Sequence, residues 1–161
     1  MFSRKSREGP VSIVSAGFFF VLIGALFIYV PTLFESIVSF FRNFDLVTIP
    51  NVGIVFIAPT DPRIHVVVYR AWEQFSFVWG LFQIVILALR FILRSPAGKK
   101  AETASNIIFW LGASYLISTF LTGATTPTVW FVFWSMMITL SGLSLIVRAI
   151  VLVATSVGRG F

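Results

Sequence analysis

The segment IVILALRFILR, residues 84–94, is an apolar run that carries two arginines, Arg90 and Arg94. Apolar side chains over such a length favour lipid, whereas a guanidinium group favours water or an anion. The segment therefore marks the place where a membrane-spanning helix reaches the interface. Arg90 lies about one helical turn before Arg94, roughly 6 Å along the axis. An arginine side chain can extend over that distance to the lipid headgroups.

The composition of the whole chain agrees with a membrane location. Of its 161 residues, 58% are hydrophobic and 11% are charged, and the mean hydropathy is +0.97. A soluble domain carries roughly 25% charged residues because its surface must be hydrated, so we expect lipid around most of this chain. The net charge is +6, and the charged residues fall between the apolar segments. We expect the lipid bilayer and its anionic headgroups as partners, and no nucleic acid.

The sequence lacks the residue types that several kinds of chemistry require. It contains no cysteine and one histidine, His65, which excludes disulfides, thiolate metal sites and a histidine-rich metal centre. It also lacks the motifs of common hydrolases, metalloproteases and nucleotide-binding proteins. We therefore expect a protein that is not an enzyme and that binds neither a metal nor a cofactor.

Four segments are long and apolar enough for a transmembrane helix, which needs about 20 residues. They cover about residues 11–30, 72–93, 104–123 and 128–148. The first span follows three basic residues without a small-residue cleavage motif, which predicts an uncleaved anchor. Pro31 kinks or ends that span. The sequence thus predicts a single all-α membrane domain over residues 1–161, built as a four-helix transmembrane bundle.

The connection between the first two spans, residues 31–71, is expected to lie over one end of the bundle. Residues 32–44 have apolar positions at helical spacing, as in an interfacial helix or a continuation of the first helix past its kink. Residues 45–63 contain three prolines and no helical period. They predict a loop with some extended structure.

The start of the second helix has two interpretations. Asp61 followed by Pro62 resembles an N-cap and a first helical turn, so the helix would extend from there to Arg94. The alternative is a β-hairpin that pairs IVFIA with HVVVY across PTDP. The β-branched residues 66–68 keep this alternative open.

The distribution of basic residues predicts how the chain is threaded. With four spans, three basic groups fall on one side of the membrane. They are Arg4, Lys5 and Arg7, then Arg94, Lys99 and Lys100, and finally Arg148 and Arg159. On the other side, acidic residues offset the basic ones. The positive-inside rule then places both termini in the cytoplasm, in a multi-pass protein of the cell membrane.

One face of the second span is small or polar. Its members follow alternating steps of three and four residues, and we call them the polar stripe: Glu73, Ser76, Gly80, Gln83, Leu87, Arg90 and Arg94. In a membrane such a face contacts protein rather than lipid. It predicts either a helix-packing seam or the wall of a polar path. Gly17 and Gly24 form a small-residue face in the first span.

A second group of charges is expected at the outer rim. Arg70 can pair with Glu73 at i,i+3, and the threading brings Glu35 and His65 to the same side. These four residues predict an ion-pair network. The alternative is an entry site for proton-coupled transport, since histidine titrates near neutral pH.

These patterns support two functions. The lack of catalytic motifs and the several association faces favour a structural or accessory subunit, which binds copies of itself or a larger membrane protein. Such a subunit would also bind anionic lipid through basic residues, which are Arg90, Arg94, Lys99, Lys100 and Arg148. The alternative is a homo-oligomeric channel, or a small-solute or proton-coupled transporter, in which the polar stripe lines the path.

Overall fold

The computed structural model describes residues 8–50 and 52–157. Most of them lie in five α-helices, which are α1 (Glu8–Tyr29), α2 (Leu33–Arg42), α3 (Val66–Ile92), α4 (Ala97–Phe120) and α5 (Pro127–Val157). The structure is 79% helical. Arg4, Lys5, Arg7 and Arg159, which entered the predicted threading, lie outside the described residues.

Three helical segments of the described chain are long and apolar enough to cross a membrane: Gly9–Tyr29, Pro62–Ile92 and Pro127–Thr155. They agree with the predicted class of helical membrane protein. The third predicted span lies in α4, which is not among these three segments. The first turns of α4 contain Lys99, Lys100 and Glu102, and serines and threonines lower its apolar character further along.

Pro31 separates α1 from α2. Proline has no N–H and clashes with a preceding helical turn, so α1 ends at Tyr29 and a new helix begins at Leu33. The helix α2 buries Leu33 and Phe40 and leaves Phe41 69% exposed. It is therefore a separate amphipathic helix and not a continuation of α1.

A two-stranded antiparallel hairpin follows α2. Strand β1 (Phe44–Thr48) pairs with β2 (Val55–Pro59), with Phe44 opposite Pro59 and Thr48 opposite Val55. Gly53 lies in the connecting turn with φ +66°, a left-handed conformation that glycine adopts without strain. The segment VFIAP thus pairs with FDLVT and not with HVVVY.

The predicted helix start at Asp61 and Pro62 is confirmed. A 3-10 helix covers Pro62–His65, and α3 continues directly from Val66. The Asp61 side chain accepts a hydrogen bond from the backbone N–H of Arg63 at 3.2 Å, which satisfies one of the free donors of the first turn. Residues 62–71 are therefore helical. The helix α3 ends at Ile92, two residues before the predicted Arg94.

The hydrophobic core lies where the hairpin meets the long helices. It joins residues of α2, β2, α3, α4 and α5, among them Phe40, Ala58, Tyr69, Ile117 and Trp130. Helix α4 packs along both α3 and α5. Helix α1 packs on α3 mainly through aromatic rings, with the centroids of Phe18 and Phe82 3.9 Å apart. Because the core contains no residue of α1, this helix lies on the outside of the other three.

The contacts between helices fix their directions. Phe18 stacks on Phe82, whereas Phe27, nine residues later, lines a cavity with Val68 and Ala71, so α1 and α3 are antiparallel. Arg90 near the end of α3 bonds to Thr103 near the start of α4, so these helices are also antiparallel. The start of α5 lies beside the start of α3, where Tyr69 is close to Trp130 and Trp72 to Trp134. The start of α1, the α3–α4 turn and the end of α5 therefore share one end of the protein. We call it the basic end, and the opposite end the hairpin end.

Candidate functional site

The structure places the polar stripe against α4. Ser76 is fully buried, Gln83 is 6% exposed and Arg90 is 8% exposed. The Ser114 hydroxyl of α4 donates a hydrogen bond to the backbone oxygen of Glu73 at 3.2 Å. The polar stripe was predicted to be either a helix-packing seam or the wall of a polar path. Within one chain, α4 covers it.

Gly80 sets the spacing between α3 and α4. A Cβ atom at this position would lie 2.6 Å from Leu111 Cδ2, 2.8 Å from Leu111 Cγ and 3.2 Å from the Leu111 backbone nitrogen. Real Cβ contacts are rarely that short, so the two backbones approach as closely as they do because Gly80 has no side chain. Gly112 likewise allows close packing of α4 and α5, because a Cβ at this position would lie 2.5 Å from Leu140 Cδ1.

Arg90 joins the last turns of α3 to the first turns of α4. Its Nη1 donates to Thr103 Oγ1 at 2.5 Å and also to the backbone oxygen of Lys99. The Thr103 hydroxyl donates to the same Lys99 oxygen at 2.9 Å. These three groups form a closed hydrogen-bonded set. The side chain of Arg90 is thus bound to protein, whereas sequence analysis expected it to extend to the headgroups.

Arg90 forms no ion pair with an acidic side chain of the described residues. The ion pairs among the described residues are Arg70–Glu73 and Lys99–Glu102, and the partners of Arg90 are neutral oxygens. Its Nε is buried and has no hydrogen-bond partner among the described residues. The basic end therefore contains a buried cation beneath its exposed charges.

The lysines of the basic end have different surroundings. Lys99 pairs with Glu102 at 3.0 Å, where both side chains are largely exposed. Lys100 lies with its ammonium 4.5 Å from the centre of the Phe91 ring, a cation–π contact. Arg94 is exposed beside them, whereas Arg148 is exposed on α5. The structure thus gathers four of the five predicted headgroup-binding residues at one turn.

The α3–α4 turn contains a strained residue. The N–H of Ser95 donates to the Arg90 carbonyl at 2.9 Å, and that of Arg94 donates to the Phe91 carbonyl at 3.1 Å. These two bonds form the Schellman motif that commonly ends helices. Arg94 occupies its left-handed position with φ +52°, where glycine is preferred because any Cβ is crowded.

We expect Arg94→Gly to stabilise the folded protein. Relief of the left-handed strain gives about 1–2 kcal/mol, and the extra freedom of glycine in the unfolded chain removes roughly half of that gain. Thermal unfolding in detergent micelles checks the prediction. Arg94→Ala is the control, because it removes the charge but keeps the strained Cβ. Equal stabilisation by both changes would assign the effect to the charge and contradict the strain argument.

Of the four predicted outer-rim residues, the structure pairs Arg70 with Glu73. Arg70 Nη1 and Glu73 Oε2 are 3.7 Å apart, with the Arg70 side chain 70% exposed, and such a surface pair contributes little stability. Glu35 lies on the exposed side of α2, whereas His65 is 3% exposed. The described residues contain no group of three acidic or histidine side chains arranged to hold a metal ion.

His65 belongs instead to an aromatic cluster at the hairpin end, which we call the ring cluster: Phe40, His65, Tyr69 and Trp130. The Phe40 centroid lies 5.1 Å from that of His65 and 6.0 Å from those of Tyr69 and Trp130. Within the described structure, His65 Nε2, the Tyr69 hydroxyl and Trp130 Nε1 are buried without a hydrogen-bond partner. A buried polar group left without any partner would cost about 1–3 kcal/mol.

Sequence analysis missed the ring cluster. The spacing of His65 and Tyr69 places both on one helical face, which is a weak signal available from the sequence. Trp130 joins them from α5, and no local pattern indicates that contact.

Known proteins provide no further guide to these sites. Comparisons of the chain with protein-family models, with curated proteins and with solved structures found no match.

Proposed function

We propose that the chain is a non-catalytic subunit of the cell membrane that associates through its outer helix faces. The observation that carries this proposal is a contrast between two groups of glycines. Gly80 and Gly112 are each covered by a leucine of the next helix. A Cβ at Gly17 or Gly24 would meet no atom of another described element within 4 Å. Helices within the chain thus pack closely at glycines, and α1 has a glycine face that no other described helix covers.

The geometry of α1 supports a contact on its outer side. Phe18 and Phe19 face α3, whereas Gly17 and Gly24, one heptad apart, lie on roughly the opposite face of the helix. Val21 between them is 67% exposed. In lipid, helices gain little from apolar contact alone and associate where small residues let the backbones approach. The outer face of α1 has this character.

The proposal includes four membrane crossings, by α1, α3, α4 and α5. Helix α4 is the most polar of them, but it packs between α3 and α5. Its polar groups Thr103, Ser105 and Ser114 are buried against its neighbours. A helix in that position tolerates serine and threonine because they bond within the protein and do not face lipid.

The proposed orientation has both termini in the cytoplasm. Arg94, Lys99 and Lys100 lie at the basic end, where α1 begins and α5 ends. The positive-inside rule favours the cytoplasm for that end. There the exposed basic side chains would bind anionic headgroups, each contributing about 1 kcal/mol near the membrane surface.

Native mass spectrometry tests the proposed association. Tagged protein would be extracted in a mild detergent from its own host and weighed with whatever remains bound. A stoichiometric second protein supports an accessory subunit, whereas a defined homo-oligomer supports self-association. A chain that is monomeric and transports a solute by itself in liposomes would contradict the proposal.

We expect Gly24→Leu to weaken the native assembly at least about tenfold, which corresponds to 1.4 kcal/mol, without unfolding the chain. The added side chain fills the open face and prevents close backbone approach. Mass spectrometry and size-exclusion chromatography measure the assembly. Ala16→Leu is the matched control, because Ala16 is also exposed on α1 but points about 100° away from Gly17. Equal effects of both substitutions would argue against a specific glycine face.

A further inference from the structure

We propose that the hairpin end encloses an internal water site formed by His65, Tyr69 and Trp130. The site is independent of the proposed association, since it lies in the core and α1 does not contribute to it. Its ligand is water, held between side chains that the protein alone leaves without partners.

Three buried polar groups share one small region. His65 is 3% exposed, and Tyr69 and Trp130 are each 1% exposed. Their rings all contact Phe40, and the centroids of Tyr69 and Trp130 are 6.1 Å apart. His65 Nε2, the Tyr69 hydroxyl and Trp130 Nε1 have no hydrogen-bond partner among the described residues. Buried polar groups almost always have a partner, and ordered water supplies it where the protein does not.

The hydrogen-bonding capacities of the three groups suit water. Trp130 Nε1–H can only donate, whereas the Tyr69 hydroxyl can donate and accept. Neutral His65 can accept at Nε2 when its proton is on Nδ1. A water molecule that accepts from Trp130 and donates to His65 leaves its remaining capacity for Tyr69. An internal water typically makes about three such bonds.

The surroundings favour a neutral ligand. Asp61 is the N-cap of the helical turn that contains His65, and its negative charge at this end of the helix disfavours an anion. A cation would need several oxygen ligands, and the ring cluster offers one hydroxyl. Phe40 from α2 and Ala58 from β2 belong to the same buried core. The amphipathic helix and the hairpin therefore cover the site.

Tyr69→Phe tests the proposal because it removes one hydroxyl and keeps the ring. If the hydroxyl had no partner, its removal would relieve an unpaired polar group and raise Tm. If it binds water, we expect Tm to fall by about 2–4 °C. Tyr115→Phe is the control, since it removes the same hydroxyl from a tyrosine of α4 that is 69% exposed and needs no internal partner. Its Tm should be unchanged or higher. A rise in Tm for Tyr69→Phe would overturn the proposal.

A double-mutant cycle tests whether the groups share the water. Trp130→Phe lowers Tm partly through lost volume, and the cycle with Tyr69→Phe cancels that contribution. Shared water predicts that the double variant loses less than the sum of the single losses, whereas additive losses would contradict a shared site. High-resolution density of the unmodified protein provides a second measurement. Water density within hydrogen-bond distance of Tyr69 and Trp130 supports the site, and its absence overturns it.

Discussion

Gly80→Leu is expected to destabilise the folded protein by more than about 3 kcal/mol, at the upper end of the cost of overpacking. The new Cβ would lie 2.6 Å from Leu111 Cδ2, and rotation of the Leu111 side chain could relieve that contact. The same Cβ would also lie 3.2 Å from the Leu111 backbone nitrogen, which no side-chain rotation moves. The rest of the leucine needs more room still, so α3 and α4 must separate.

Chemical or thermal unfolding in detergent micelles, followed by circular dichroism, measures this effect. Gly24→Leu is the matched control, because it adds the same side chain where no atom of another described element lies within 4 Å. The control should unfold like the unmodified protein when both are compared as monomers. If Gly80→Leu also unfolded normally, the close approach of α3 and α4 would be wrong.

Separation of α3 from α4 has consequences beyond the glycine. The seam also holds the bond from Ser114 to the Glu73 carbonyl and the bonds of Arg90 to the first turns of α4. These polar contacts need correct distances, and a hydrogen bond weakens steeply when its atoms move apart or out of line. Gly80 therefore sets the distance between α3 and α4 that the hydrogen bonds of Ser114 and Arg90 require.

Local signals in the sequence indicated the helix boundaries near prolines, although a strand that includes residues 66–68 remained an alternative. Pro31 acts through its own missing N–H, and Asp61 with Pro62 acts on the turn that follows directly. Such effects need no distant partner, so the end of α1 and the helical start at Pro62 follow from the residues themselves. The burial of Ser76 and Gln83 follows from helical periodicity for the same reason.

Contacts between distant segments could not be predicted in this way. VFIAP has a strand-like sequence, but its pairing with FDLVT depends on a register that the alternation of side chains leaves open. The ring cluster requires Trp130 to meet His65 and Tyr69 from another helix. The surroundings of Arg90 depend on where the Lys99 carbonyl lies after α4 has packed. In each case the deciding atom belongs to a segment that is remote in sequence or beyond a turn.

Arg90→Ala is expected to destabilise the protein by about 2–4 kcal/mol, because it removes two charge-assisted hydrogen bonds from a buried position. The bonds link α3 to Thr103 and to the Lys99 carbonyl. A lipid anchor would behave differently, since its contribution would depend on the anionic lipid present. The loss should therefore be similar in neutral detergent and in micelles that contain an anionic lipid. Arg148→Ala, at an exposed position on α5, should have little effect in neutral detergent.

Thr103→Val separates the two roles of Arg90 further. If Arg90 joins the helices, its interaction with Thr103 should appear as a coupling of at least about 1 kcal/mol in a double-mutant cycle. Arg90 would instead be a headgroup ligand if the losses of Arg90→Ala and Thr103→Val were additive and if Arg90→Ala lowered stability only when anionic lipid is present. Because Arg90 is only 8% exposed, we expect the coupling. Arg94, Lys99 and Lys100 then remain as the basic residues of this turn that are proposed to meet the membrane surface.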